Sequence, residues 1–388
     1  MAAAAGVTPD RPGVPAHRVA WKPDRRLRAF YDVPTPFGVR PVAVRWDAGG
    51  GRVVEVWPAD ASWPHLAEFV GGAVAGEVLT SAGWDGSGEI GLDVLRYRPG
   101  QRHVVRLRAG RTVVYVKIGA AGTAGHAAAS AAVLAGAARA AGALASAASW
   151  WSDRLGALAV PAVPGVVRAV AGPSGEPGAG PARDAHLERM GRFLRALHDG
   201  AVPDGAVPDG IADAPGPEAE AALTARAWEH AVRLHPDLGP ALRNVLDTAI
   251  VAAGAAGPRS LLHGDVKIEH LLDTGDRLAV IDLDSVAVGD PRRDVGRLLA
   301  SLWWEERRWS DERSPGHDRA VTGAGIRSAL LAAYDPADRL DRRALGGWTA
   351  LALLKQAARR VPVLDPGLGA GLARWLDVAS VACSGDVT

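Results

Sequence analysis

Asp265, His270 and Asp282 are set close together in one stretch of the chain. They lie in Leu261-Leu262-His263-Gly264-Asp265-Val266-Lys267-Ile268-Glu269-His270-Leu271-Leu272 and the following Ala279-Val280-Ile281-Asp282-Leu283-Asp284. The apolar runs read as strands, and Asp273-Thr274-Gly275-Asp276 between them reads as a turn. A hairpin turning near Gly275 would set Ile268 near Asp282 and His270 near Val280, gathering Asp265, His270 and Asp282 at one end of the ribbon. Such a set can accept the proton of an attacking hydroxyl and hold a divalent cation on phosphate oxygens. Charge on a transferred phosphoryl group needs cations close by, and acids bring them in. Lys267, two residues past Asp265, could offset the same charge with its ammonium.

Loops of this kind need a scaffold. Gly91–Arg98, Arg102–Arg108 and Thr112–Ile118 are β-rich runs separated by Pro99-Gly100 and Ala109-Gly110-Arg111, an antiparallel meander. Two apolar runs around Asp47-Ala48-Gly49-Gly50-Gly51 read as an earlier hairpin, and Pro64–Val70 as a short helix. An alanine-rich helix is predicted over 124–148, and Ala157–Val163 and Val166–Val170 are candidates to complete the sheet. Ala171–Ala182 and Val202–Pro217 are Pro/Gly-rich connectors. Leu187, Met190, Phe193, Leu194 and Leu197 make one helical face, Glu218–Ala253 reads as one or two helices, and helical patterns dominate after Trp303. The expected units are a flexible leader (1–27), an extension with a hairpin (28–75), a nucleotide-binding sheet lobe with hinge (76–180) and a helical lobe (181–388).

The order of these parts is that of a kinase catalytic loop and metal-binding strand. His263-Gly264-Asp265 with His270, then Ile281-Asp282-Leu283-Asp284 and Gly289-Asp290-Pro291-Arg292-Arg293-Asp294, resembles the aminoglycoside phosphotransferase family. The resemblance covers roughly residues 90–300. It implies an α+β, bilobal protein-kinase-like fold, with an antiparallel sheet in the N-lobe and a mainly helical C-lobe. By the same resemblance Asp265 is the catalytic base, Asp282 the principal Mg²⁺ ligand with His270 beside it, and Lys117 the ATP-phosphate lysine. Arg98-Pro99-Gly100-Gln101 is the phosphate-covering turn, with Arg98 and Gly100 at the nucleotide. His263 and Asp294 brace the catalytic loop, and Asp290 caps the helix that Pro291 begins. Two features depart from the family pattern. His270 stands where Asn is usual, as in macrolide kinases, and Thr123–Trp151 contains no acid to pair with Lys117. Arg292 and Arg293 are read as solvated, Asp284 as structural, and Trp303, Trp304 and Trp309 as helix core rather than an acceptor wall.

Composition narrows the partners. Of 388 residues, 44 are Lys or Arg and 43 Asp or Glu, a net charge of +1 that gives no footprint for nucleic acid or an anionic membrane. Cys383 is the lone cysteine, so neither a disulfide nor a Cys-rich zinc site is expected. Met1–Gly6 lacks a basic n-region and Ala127–Ala148 is too poor in large apolar residues to span a bilayer, so a cytoplasmic protein is expected. The leading expectation is an ATP- and Mg²⁺-dependent O-phosphotransferase acting on a hydroxyl of a small natural product, antibiotic or sugar. A kinase of Ser or Thr hydroxyls in a precursor peptide and a nucleotide-binding pseudokinase remain as alternatives, and a metal hydrolase explains less, since it leaves the lysine strand without a role. The oligomeric state is not legible.

Overall fold

The computed structural model describes residues 14, 16–22, 26–36, 38–70, 72–168, 181–200, 210–254, 257–311, 320–361, 365 and 367–387. Its strands are β1 (Arg18–Lys22), β2 (Arg26–Thr35), β3 (Gly38–Asp47), β4 (Arg52–Val56), β5 (Gly91–Arg96), β6 (His103–Ala109), β7 (Thr112–Ile118), β8 (Leu144–Ala145), β9 (Trp150–Ser152), β10 (Ala157–Pro161), β11 (Ala212–Asp213), β12 (Ser260–Leu262), β13 (Leu271–Asp273), β14 (Leu278–Val280) and β15 (Ala287–Gly289). Its α-helices are α1 (Ala73–Ser81), α2 (Ala124–Ala140), α3 (Pro181–Asp199), α4 (Pro217–Leu234), α5 (Leu238–Ala253), α6 (Arg292–Asp311), α7 (Ala320–Tyr334), α8 (Arg342–Arg360) and α9 (Leu368–Cys383). The chain divides into two compact units, the first taking the chain up to Ala129 with Ser146–Ala162 and Pro362–Asp365.

The first unit is built on two sheets, ordered β1-β2-β3-β4 and β5-β6-β7-β10-β9. Alternation drives the second sheet: Val105 and Leu107 on β6 and Val114, Val116 and Ile118 on β7 turn inward and are buried. Phe30, Ala43 and Trp57 from the early segment join Val105, Leu107 and Val116 in one core, so the segment ahead of the meander is packed as part of this unit. β1 falls inside the stretch expected to be a loose leader. The β3–β4 hairpin turns at Asp47–Gly51 as expected, with Gly50 at φ +83°.

The second unit is mainly helical, with α4, α5, α8 and α9 around Trp228, Leu242, Leu351, Leu353 and Leu372. Leu187, Met190, Phe193, Leu194 and Leu197 of α3 are all buried, as their spacing predicts. Pro236 falls where 218–253 divides into two helices. Other expectations change. α2 stops at Ala140, not near 148, because Gly142 at φ +84° lets Ala143 N–H close on the Ala138 carbonyl. Val166 does not extend the five-stranded sheet but bridges Asp273 beside β13. Residues 169–180, most of that connector, and 201–209 lie outside the described residues, as does the Trp309 side chain. Trp304 stacks on Trp375 with centroids 4.7 Å apart, and Arg360 lies over its ring, which makes it packing rather than an open wall. Among the described residues no helix is long and apolar enough to cross a membrane.

Candidate active site

Two short ribbons in the second unit carry the site. β12 pairs antiparallel with β15, setting Leu262 opposite Ala287, and the chain leaves β12 through His263 and Gly264. Asp294, fully buried in the first turn of α6, accepts the His263 and Gly264 backbone amides at 2.6 and 3.0 Å. The His263 ring donates from Nε2 to the Ile281 carbonyl at 3.0 Å, joining the loop to the residue before Asp282. Gly264 sits at φ +79°, and a Cβ there would come within 1.8 Å of the Ser285 carbonyl oxygen. His263 and Asp294 therefore brace the loop through its backbone.

β13 and β14 form the second ribbon, with Leu271 opposite Val280 and Asp273 opposite Leu278. This register is one residue from the expected one, so His270 faces Ile281, whose N–H it accepts at 3.0 Å, and not Val280. The cause is the turn. Thr274 N–H closes on the Arg277 carbonyl, leaving Gly275-Asp276 as a two-residue loop whose centre falls between residues and not on Gly275. Residues 268–270 are a 3₁₀ turn instead of strand, and this turn delivers His270 to the cluster.

Ligand atoms of Asp265, His270 and Asp282 all lie within 4.8 Å of one another. His270 Nδ1 donates to the Asp265 carbonyl at 2.9 Å, because a carbonyl only accepts. Burial keeps the ring neutral against the pull of Asp282, which leaves Nε2 a lone pair 3.3 Å from an Asp282 carboxylate oxygen. Two acceptors facing each other across that gap suit a cation between them, and the donor set of two carboxylates and an imidazole fits a divalent metal. Asp282 holds φ +63°, a left-handed conformation that Asp tolerates better than most residues. Asp284 is half-buried in the adjoining 3₁₀ turn and is not part of the cluster.

Both Asp265 oxygens are engaged. Lys267 Nζ lies 2.7 Å from Oδ2, and Arg297 Nη1 lies 3.2 Å from Oδ1 while also donating to the Gly264 carbonyl. Burial pushes the Asp265 carboxyl up, but Lys267 and Arg297 more than offset this and hold it below its ordinary value. Arg297 is anchored in turn by Glu220 of α4 at 3.3 Å, and the same buried carboxylate takes Arg293 at 3.2 Å and the Lys355 ammonium. Arg293 is thus buried, not solvated, and Arg292 clamps Asp290, because a carboxylate is on offer to each. Further along α6, Ser301 Oγ accepts the Ile268 N–H at 3.4 Å. Glu305 meets Arg360 at 3.9 Å, and Arg360 in turn pairs with Glu269. Asp290 accepts the Arg292 N–H at 2.9 Å, the cap expected of it. Arg297, Glu220, Lys355 and Ser301 were not singled out by sequence. The available signal was the i, i+4 spacing of Arg293 and Arg297, and Glu220 reads only as an acid near a helix start.

The remaining site residues belong to the first unit. Lys117 is half-buried on β7, on the face opposite Val116 and Ile118, with Val104 and Leu158 as its cross-strand neighbours. Arg98 and Gly100 lie in the β5–β6 turn, closed by Gln101 N–H on the Arg98 carbonyl at 3.0 Å. The Gly100 amide, expected at the nucleotide, donates to Asp60 at 2.8 Å.

Residues 93–354 match the model of the Phosphotransferase enzyme family. Among solved structures, a choline/ethanolamine kinase family protein from Mesorhizobium loti aligns over 79% of this chain and 92% of its own, with 18% identity and a TM-score of 0.50. A thermostable mutant of aminoglycoside phosphotransferase APH(4)-Ia aligns over 76% of this chain and 94% of its own, with 16% identity and a TM-score of 0.51. At that identity the likeness is one of fold: α+β and protein-kinase-like. No curated protein matches the chain.

Proposed function

The chain belongs to the phosphotransferase enzyme family and is an enzyme that transfers phosphate to a hydroxyl; from that premise we propose that it moves the γ-phosphate of ATP, with a divalent cation, onto a small molecule. The observation that carries this reading is the convergence of Asp265, His270 and Asp282 within 4.8 Å on a braced loop. Asp265 is the residue that orients the acceptor hydroxyl and takes its proton. A carboxylate held below its ordinary value is a weak base, so its main work is orientation, with the proton leaving late. Asp282 and His270 would hold the cation, and Mg²⁺ there would neutralise charge on the phosphates. Lys267 is close enough to Asp265 to exchange that carboxylate for an incoming phosphoryl oxygen. Lys117 is assigned to the ATP phosphates.

The test is purified protein with ATP and Mg²⁺ against a panel of hydroxylated natural products, antibiotics and sugars, read by mass spectrometry for a phosphorylated product. Asp265→Asn should lower transfer by about 10²-fold or more while ATP binding persists. Transfer that survives this substitution unchanged would refute the mechanism. The Lys267–Asp265 contact favours a second panel of Ser- and Thr-containing peptides, in which phosphopeptides would redirect the assignment to a peptide kinase.

A further inference from the structure

We propose that Arg297 of α6 is a positioning residue for phosphoryl transfer, pinning one oxygen of the Asp265 carboxylate so that the other faces the acceptor hydroxyl. This rests on the phosphotransferase reading of the site and names the group that aims its central carboxylate.

Three successive positions on α6 meet the loop. Asp294 accepts the His263 and Gly264 amides, and Ser301 Oγ accepts the Ile268 amide. These contacts fix the backbone on either side of Asp265 but leave its side-chain torsions to other groups. Arg297, between them, is the one of the three that reaches the carboxylate. Its Nη1 donates to Asp265 Oδ1 at 3.2 Å and also to the Gly264 carbonyl. One nitrogen thus ties the carboxylate to the backbone just before it, and the carboxylate plane cannot turn without breaking a charge-assisted bond.

The guanidinium is itself fixed from behind. Its Nη2 donates to Glu220 Oε1 at 3.3 Å, and that buried carboxylate of α4 also takes the Lys355 ammonium of α8. Beside Arg297, α6 is seated against α8 at Gly296, where a Cβ would come within 2.8 Å of the Thr349 backbone nitrogen. Close packing therefore sets the point from which Arg297 reaches out, and its planar fork spans two carboxylates at once.

The two cations on Asp265 differ in kind. Arg297 is held at both ends, by Glu220 and by Asp265. Lys267, 2.7 Å from Oδ2, is a point charge on a flexible stem that leaves the loop two residues further on. Arg297 therefore keeps Oδ1, and Oδ2 is the oxygen freed when Lys267 moves to an incoming phosphoryl group. Where positioning carries catalysis, a displacement of about 1 Å costs about 10²-fold in rate, and that is the scale on which Arg297 acts.

Hydrolysis of Mg²⁺-ATP by the full chain tests this, with water standing in for the acceptor hydroxyl and labelled phosphate release as the readout. The water oxygen bonds to the γ-phosphorus as the bond to the β-phosphate oxygen breaks, ADP leaves, and one water proton passes to Asp265. Rates and calorimetric ATP affinities are compared for wild type, Arg297→Gln, Arg297→Lys, Asp265→Ala and the double variant Asp265→Ala/Arg297→Gln. Arg297→Gln should lower kcat about 10²-fold, with KM and ATP affinity within about twofold of wild type. Arg297→Lys keeps a cation beside Glu220, and with it the fold, but cannot span both carboxylates, so it should lose about tenfold. In the double variant, Arg297→Gln should cost less than about threefold, because the carboxylate it acts through is already gone. An arginine that only supports the fold would multiply the two losses in full. Such multiplication overturns the inference, as do rates within twofold of wild type in both Arg297 variants. Either result leaves the proposed function standing where Asp265→Ala alone lowers hydrolysis. Wild-type protein that neither binds ATP nor releases phosphate overturns both readings.

Discussion

Replacing Glu220 by Gln asks which of two large opposing terms wins beneath the catalytic loop. Burying a carboxylate costs several kcal/mol. Opposing that are Arg293, Arg297 and Lys355, and a contact near 3 Å is worth about 5 kcal/mol at an effective dielectric of 20. Burial pushes the Glu220 carboxyl up, yet the three cations outweigh it and bring it down to about 2. A carboxyl at about 2 when folded and about 4.5 when unfolded contributes about 3 kcal/mol of stability. Because the folded value is the depressed one, this contribution is complete above about pH 4.5 and is lost as pH falls toward 2. Glu220→Gln removes the anion that buried Arg293 and half-buried Arg297 and Lys355 share, leaving Arg297 its contact with Asp265, a loss of about 3–5 kcal/mol. In a unit of this size that lowers the Tm by about 10 °C. Differential scanning fluorimetry of both proteins from pH 8 to pH 5 should show a constant gap. A gap under about 2 °C, or one that closes between pH 7 and pH 5, would mean that burial wins and that Glu220 is protonated near neutrality.

Other outcomes follow from single contacts. Gly264→Ala drives a Cβ into the Ser285 carbonyl and cannot hold φ +79° without strain, so soluble expression should fall sharply, whereas Gly275→Ala, with open space around it, should express. Asp294→Asn turns one of two acceptors toward the loop amides into a donor, costing about 2 kcal/mol in chemical denaturation and lowering kcat with little change in nucleotide affinity. A variant as stable and active as wild type would release Asp294 from its bracing role. His270→Asn exchanges an imidazole nitrogen for a harder amide oxygen, so the ratio of Mg²⁺- to Mn²⁺-supported transfer should rise by about threefold or more. An unchanged ratio would remove His270 from the metal's ligands.

The parts legible in the sequence are those whose partners are near in the chain. Asp265, His270 and Asp282 need only one tight hairpin to meet, and alternation around Val114, Val116 and Ile118 fixes the strand that carries Lys117. The one-residue register error shows the limit, since a loop of two residues and one centred on Gly275 look alike until the Thr274–Arg277 bond is seen. Contacts made across distance in sequence were not legible. Arg297 reaches Asp265 across 32 residues, Glu220 across 77, and Lys355 reaches Glu220 across 135. Each is a charged residue on a helix, a type that periodicity assigns to solvent, and only tertiary packing shows Glu220 buried and Arg297 and Lys355 half-buried against it. Asp60 and Arg28 were hidden in the same way, 40 and 71 residues from the β5–β6 turn they hold.

The face of α6 that carries Asp294, Arg297, Ser301 and Glu305 acts as a ruler for the loop from His263 to Glu269. Those positions span roughly 16 Å at the rise of an α-helix; the first three meet successive points on the loop, and Glu305 reaches Glu269 only through Arg360. Deleting one residue between Arg297 and Ser301 would swing the downstream partners by about 100° and strip the loop of half its supports. Grafting the acidic loop onto a foreign scaffold would therefore give an inert peptide. Even the stretch from Ser260 through Glu305 would travel without Glu220, Lys355 and Arg360, the charges outside it that hold Arg297, Glu305 and Glu269 in place.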